Sequence, residues 1–145
     1  MRINGTLREV DAPAQARLVD VLRDELALVG TRLGCGANAC GACHVLLAGR
    51  AVAACDTPLW AAREQEITTV EGLDARLRQA FIAEQAAQCG FCSSGMLVGA
   101  AALLRRDANP SAADVQAALD GNLCRCGAHN RIVRAVLRAA DLMRT

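Results

Sequence analysis

Eight of the 145 residues are cysteines, and they fall into two groups of four. The first quartet is Cys35, Cys40, Cys43 and Cys55, and the second quartet is Cys89, Cys92, Cys124 and Cys126. An even number of cysteines also occurs in disulfide scaffolds, but these are typical of small secreted chains. The cysteines here are tightly grouped, and the first residues lack the apolar segment of a secretory signal. The sequence therefore predicts two metal centres in a cytoplasmic chain.

The first quartet has the spacing C-x4-C-x2-C-x11-C. Its first three positions match the plant-type ferredoxin spacing, in which one loop brings three thiolates around a [2Fe–2S] cluster. Such a loop needs residues that accept a positive φ, and Gly36, Asn38 and Gly41 supply them. Structural zinc is the alternative, but zinc sites usually present two C-x2-C-like pairs. Spacing and glycine content favour iron–sulfur over zinc.

The second quartet consists of Cys89-Gly90-Phe91-Cys92 and Cys124-Arg125-Cys126-Gly127. A C-x2-C pair opening a helix is also typical of thioredoxin-like redox proteins. That motif follows a strand in a βαβ unit, and no such strand is predicted before Cys89. It would also leave Cys124 and Cys126 without a role. From these residues alone the prediction is a metal cluster, with zinc as the open alternative.

The elements around the first quartet are predicted to be strands with one helix. Asn4-Gly5 indicates a hairpin between residues 1–3 and 6–10, and Ala48-Gly49-Arg50 indicates a second between 44–47 and 51–55. Residues 67–70 are the candidate closing strand. Apolar residues at helical spacing predict a helix over residues 18–26.

The second quartet lies in a part of the chain with helical periodicity. Four helices are expected, over residues 73–84, 91–106, 112–119 and 132–143. Ser111, with Asp114 three residues on, is the predicted N-cap of the third of them. Short connections between the four helices indicate a small bundle. The predicted domains are residues 1–71 and 72–145.

Composition argues against several classes of partner. The net charge is only +1 and aromatic residues make up 2% of the chain, so a nucleic-acid surface is not expected. The longest apolar stretch, residues 96–104, is about half of the roughly 20 residues that a membrane span needs.

Trp60 is expected to anchor the core, His44 to be a half-exposed strand residue, and His129 to begin the last helix.

Three motifs in this order resemble the small subunit of the molybdenum hydroxylases, the xanthine oxidase family. They are Gly34-Cys35-Gly36 with Cys40-Gly41-Ala42-Cys43, then Gln88-Cys89-Gly90-Phe91-Cys92, then Gly121-Asn122-Leu123-Cys124-Arg125-Cys126-Gly127. The resemblance covers nearly the whole chain. It implies an α+β fold, with a β-grasp plant-ferredoxin-like domain followed by a four-helix domain, each holding one [2Fe–2S] cluster on its cysteine quartet.

The same resemblance implies a function as an electron relay without catalytic residues on this chain. Electrons would come from molybdopterin on a large partner subunit, with Gln88 and Cys126 approaching the pterin, and leave to an FAD subunit or a cytochrome c subunit or domain. The substrate of such a complex would be an N-heteroaromatic compound or an aldehyde. The alternatives are a stand-alone ferredoxin or sensor and a zinc-stabilised interaction module.

This sequence departs from the family pattern without losing a ligand. Asn38 stands where glycine is frequent, Ser94 where proline is frequent, and His44 where threonine is common. Asparagine accepts the left-handed conformation and serine suits a first helical turn, so little change is expected from the first two.

Overall fold

The first half of the chain forms a five-stranded mixed sheet in a computed structural model that describes residues 1–145. Its strands are β1 (Arg2–Ile3), β2 (Thr6–Leu7), β3 (His44–Leu47), β4 (Arg50–Ala53) and β5 (Glu66–Thr68). The strand order is β2-β1-β5-β3-β4. Strands β1 and β5 pair in parallel, and the other neighbours are antiparallel.

Both predicted hairpins are confirmed, and two-residue turns of positive φ close them. Asn4 and Gly5 have φ values of 51° and 78°, and Ala48 and Gly49 have 48° and 81°. Turns of this kind match the right-handed twist of the strands that they join. The second turn is one residue shorter than predicted, because Arg50 already belongs to β4.

Helices make up most of the second half. Two short helices lie in the first half, α1 (Leu18–Asp20), which continues into a π-helical turn (Val21–Glu25), and α2 (Leu59–Ala62). After a 3-10 turn (Val70–Gly72) come α3 (Ala75–Ala83), α4 (Ser93–Arg106), α5 (Ala112–Leu119) and α6 (His129–Arg144). The four predicted helices are all present. The Ser111 hydroxyl and the Asp114 carboxylate form the predicted capping box of α5.

Strand β3 supplies side chains to two hydrophobic cores. Val45 and Leu47 belong to the core of the ferredoxin-like half, whereas Leu46 belongs to the core formed by the helices. Successive side chains of a strand point to opposite faces of its sheet. Strand β3 therefore joins the two halves, because alternate residues along it pack into different cores. The predicted domain boundary falls within the 3-10 turn, and it stays a prediction.

The expectation for Trp60 is wrong, because its side chain is 63% exposed. It lies on the four-residue helix α2, whose Leu59 and Ala62 are both fully buried. A neighbour in sequence is turned away from that buried face by the helical period. No helix is both long enough and apolar enough to cross a membrane.

Candidate metal centres

The loop of the first quartet turns its backbone amides toward sulfur. The N–H groups of Ala37 and Ala39 donate to Cys35 Sγ over 3.4 and 3.2 Å. The N–H of Asn38 donates to Cys55 Sγ over 3.4 Å. Positive φ values at Gly36, Asn38 and Gly41, of 67°, 53° and 73°, allow the chain to fold back in this way. The sequence predicted this conformation at all three positions.

These thiols meet in pairs, and the two pairs differ in environment. Cys35 meets Cys40 near the surface, and Cys43 meets Cys55 in the core. Hydrogen bonds from the amides of Ala37 and Ala39 lower the pKa of Cys35 to about 7. Burial raises the pKa of Cys43 to about 11. Cys35 is therefore poised to ionise, whereas Cys43 needs a cation to hold it as thiolate.

The second quartet is also built from two pairs. The Sγ atoms of Cys89 and Cys126 lie 3.5 Å apart at the surface, and Cys92 meets Cys124 deeper in the protein. The amide of Phe91 and the thiol of Cys126 lower the pKa of Cys89. Burial raises the pKa of Cys92 to about 12. The two quartets thus repeat one arrangement, an acidic outer thiol and a buried inner one.

At Cys124, burial tends to raise the thiol pKa, but hydrogen bonds outweigh it. The amides of Ala128, Cys126 and Gly127 and the thiol of Cys92 all favour the thiolate, and the pKa is lowered. Several of these donors come from the turn that precedes α6, where amides are free to donate. The second quartet therefore carries amide donors comparable to those of the first.

Thiols grouped in two pairs fit a binuclear cluster, in which each iron takes two cysteine ligands. No group of three or more His, Cys, Asp or Glu side chains is arranged to hold a single metal ion. The first loop also leaves no spare room beside sulfur, because a Cβ on Gly34 would lie 2.8 Å from Cys40 Sγ. The donor set of four paired thiols fits [2Fe–2S] in each quartet.

The two quartets are joined by direct contacts between their loops. The amide of Leu123 donates to the carbonyl of Cys40 over 3.0 Å, which links the residue before Cys124 to a cysteine of the first quartet. The side chain of Asn122, which is 3% exposed, donates to the carbonyl of Gly41 over 3.2 Å. The sites are thus held in a fixed relation to each other.

Glycines make room for this contact. A Cβ on Gly41 would lie 2.4 Å from Asn122 Nδ2, and a Cβ on Gly95 would lie 2.0 Å from the Gly41 carbonyl oxygen. On α4, Gly99 follows Gly95 by one turn and lies beside Leu119 and Asn122. Asn122 was not predicted as a functional residue. The two glycines four residues apart on α4 were the signal of a close approach that could have found it.

The other predicted residues lie near the two quartets or at the start of α6. Gln88 and Cys126 are both exposed, and Cys89, which pairs with Cys126, follows Gln88 directly. His44 is a partly buried strand residue, its Nδ1 lies 3.4 Å from Asn122 Nδ2, and burial lowers its pKa. His129 begins α6 as expected. Neither histidine is needed to complete a quartet.

Comparison with known proteins gives the same division into two sites. A family described as a 2Fe-2S iron-sulfur cluster binding domain matches residues 1–77, and one described as a [2Fe-2S] binding domain matches residues 69–137. The chain is 48% identical to the alpha subunit of isoquinoline 1-oxidoreductase from Brevundimonas diminuta, over 95% of this chain and 94% of the relative. It is 46% identical to a nicotinate dehydrogenase subunit from Pseudomonas putida, over 99% of this chain and 95% of that relative.

A solved structure agrees with these relatives. The aldehyde oxidoreductase of Desulfovibrio gigas superposes with a TM-score of 0.93 at 39% identity, over 99% of this chain and 17% of that longer chain. The fold, two [2Fe–2S]-binding domains in this order, is that of an electron-transfer module. The chain belongs to the small iron–sulfur subunits of the molybdenum hydroxylases, the xanthine oxidase family.

Proposed function

We propose that this chain is the electron-transfer subunit of a molybdenum hydroxylase. It would carry single electrons from molybdopterin on a large partner subunit to a flavin or cytochrome acceptor. The observation that carries the proposal is the contact between the quartets, in which the amide before Cys124 donates to the carbonyl of Cys40. Two separate binding modules would not need their sulfur loops to touch.

The ligands follow from the pairs of thiols. Cys35 with Cys40, and Cys43 with Cys55, would hold the two irons of the first cluster, and Cys89 with Cys126, and Cys92 with Cys124, those of the second. A bound [2Fe–2S] cluster supplies one-electron chemistry at a potential that hydrogen bonds to sulfur and solvent exposure adjust. The amides of Ala37, Ala39 and Phe91 would favour the charged form of the sulfurs that accept from them.

The outer pair of the second quartet, Cys89 and Cys126, marks the face where electrons would enter the chain. Cys89 and Cys126 are exposed next to exposed Gln88, and Phe91 and Leu123 add apolar surface that is 47% and 62% exposed. An exposed thiol pair with an apolar surround suits contact with a partner protein. We assign this face to the large subunit, with Gln88 donating a hydrogen bond to the pterin.

The substrate of the whole complex belongs to the large subunit. Relatives named for isoquinoline and nicotinate support an N-heteroaromatic compound, and the aldehyde oxidoreductase supports an aldehyde as the second candidate. A stand-alone ferredoxin or sensor remains the competing function. The exposed apolar residues around Cys89 favour the subunit over the stand-alone protein.

The test is purification of the tagged chain from its native host. We expect it to retain a molybdopterin-containing subunit, and the complex to oxidise isoquinoline, nicotinate or an aromatic aldehyde with an artificial acceptor. Retention of both clusters without any molybdopterin subunit would support the stand-alone protein instead. A colourless chain that holds zinc would overturn both.

The role of Gln88 is tested in the same complex. Gln88→Ala should keep the iron content and weaken pterin retention or electron transfer, because a hydrogen bond to the pterin is lost. Gln79→Ala removes a matching exposed side chain from the middle of α3 and should change neither property. Equal behaviour of the two variants would remove Gln88 from the proposed site.

A further inference from the structure

Phe91 is a residue of the second quartet whose side chain reaches the loop of the first. It lies between Cys89 and Cys92, and its backbone amide donates to the thiol of Cys89. In the ligand assignment made above its main chain therefore belongs to the second site. Its side chain, about half of which is exposed, is not part of either hydrophobic core.

The ring of Phe91 reaches the loop of the first quartet. Its Cε1 atom lies 3.7 Å from the position that a Cβ on Gly34 would take, and Cys40 Sγ lies 2.8 Å from that same position. The ring edge and the Cys40 sulfur thus approach the same point beside Gly34, where no Cβ would fit. The hydrogen bond from the Leu123 amide to the Cys40 carbonyl holds the two loops against each other.

An apolar ring at this position changes the solvation of sulfur. A [2Fe–2S] centre with four thiolates becomes more negative by one charge when it is reduced, and water stabilises the more highly charged form. Exclusion of water therefore lowers the reduction potential, and solvent exposure is one of the factors that set it. A benzyl group beside the Cys40 loop, on the residue whose amide donates to the Cys89 thiol, would exclude water from both sites at once.

We propose that Phe91 is a potential-setting residue shared by both centres, and that its ring keeps water out of the space between them. The proposal rests on the cluster-binding function proposed above. It concerns the side chain only, because the hydrogen bond from the backbone N–H of residue 91 to the Cys89 thiol is kept in any substitution except proline.

The experiment is a redox titration of the purified holo chain, followed by electron paramagnetic resonance. Phe91→Ala should retain its iron and visible spectrum, and both midpoint potentials should shift in the positive direction. Phe91→Leu keeps an apolar side chain and should shift both potentials less, in the same direction. Pulsed measurements after transfer to D₂O should find more exchangeable deuterons near the reduced centres of Phe91→Ala than of the unaltered chain.

Ile82→Ala is the matched control. It removes another exposed apolar side chain of the helical half, 76% exposed, from a helix that carries no cysteine, and should leave both potentials unchanged. A shift of the second midpoint alone, or of neither, overturns the proposal and leaves the relay function standing. If Phe91→Ala loses iron, Phe91→Leu decides the question by the same criterion. Absence of two one-electron midpoints in the unaltered chain overturns the proposed function together with this inference.

Discussion

The cysteines of each quartet are not equivalent as acids. An exposed thiol that accepts amide hydrogen bonds has a lowered pKa, as at Cys35 and Cys89, whereas burial raises the pKa of Cys43 and Cys92. Cation binding is therefore needed more by Cys43 and Cys92 than by Cys35 and Cys89. This order governs how the cluster-free chain reacts.

Alkylation of the cluster-free chain should follow the order of acidity. Cys35, with a pKa of about 7, should react fastest at pH 7.5, and its rate should fall as the pH drops below 7 because the thiol becomes protonated. Cys43 and Cys92, with pKa values of about 11 and 12, should react last. Mass spectrometry after timed treatment with iodoacetamide measures the order. Similar rates at Cys35 and Cys43 would contradict the loop geometry.

Loss of one ligand should affect one centre only. Cys89→Ser or Cys126→Ser should abolish one of the two electron paramagnetic resonance signals of the reduced holo chain and stop turnover of the complex. Cys35→Ser is the reciprocal control and should abolish the other signal. Simultaneous loss of both signals in any of these variants would mean that the two quartets do not assemble independently.

Residue chemistry was predictable where it depends on local spacing. The eight cysteines, and the positive φ values at Gly36, Asn38 and Gly41, follow from residues close together in sequence. The contact of Asn122 with Gly41 joins positions 81 residues apart, and only the spacing of Gly95 and Gly99 on α4 signals a close approach there. The exposure of Trp60 was mispredicted because residue type alone does not say which side of a helix is buried. The four-residue helix α2 buries the side that carries Leu59 and Ala62, and Trp60 lies on the other side.

At the scale of elements, the strongest local signals gave the best boundaries. The predicted bounds of α5 agree with the structure, because Ser111 and Asp114 form a complete capping box. Helix α4 begins two residues later than predicted, since Gly90 has a φ of 78° and the segment through Cys92 forms the turn that presents the sulfurs. Helix α6 begins at His129, as expected for that residue, but three residues before the apolar pattern of residues 132–143, because polar residues 129–131 carry no apolar periodicity.

Removal of the α5 cap should destabilise the helical half. Ser111→Ala loses the hydroxyl that accepts from the Asp114 amide, and such losses cost about 1 kcal/mol. Thermal unfolding of the holo chain measures the change. Ser111→Thr keeps a hydroxyl that can accept from the Asp114 amide and donate to the Asp114 carboxylate, and should recover most of the stability. An unchanged Tm for Ser111→Ala would mean that α5 unfolds separately from the transition observed.

At the scale of the whole molecule, the two halves are joined at one seam. It is formed by Gly41 from the first loop, Asn122 from the second, and the face of α4 that carries Gly95 and Gly99. Strand β3 adds Leu46 to the helical core on the same side of the sheet. The order of the two domains was predictable from sequence, but their packing depends on these long-range contacts.

A methyl group at Gly95 should force the halves apart. Its Cβ would lie 2.0 Å from a backbone oxygen, so the backbone itself must move, and overpacking of this kind costs about 1–3 kcal/mol. Gly95→Ala should lower the Tm and weaken the magnetic interaction between the two reduced centres. Gly121→Ala, where a Cβ meets nothing within 4 Å, is the control and should change neither. An unaltered magnetic interaction in Gly95→Ala would show that the added methyl group is accommodated without a change in the distance between the two centres.

The separation of the two redox sites is therefore fixed by a residue that binds no iron. An electron tunnels more slowly as the gap widens, so the rate of transfer between the two sites depends on a position whose side chain is one hydrogen atom. A substitution can therefore change the rate of electron transfer through this chain without altering a cysteine ligand, a reduction potential or a contact with a partner. At Gly95 the packing of the two halves sets the distance over which the electron tunnels, so a single added methyl group changes both.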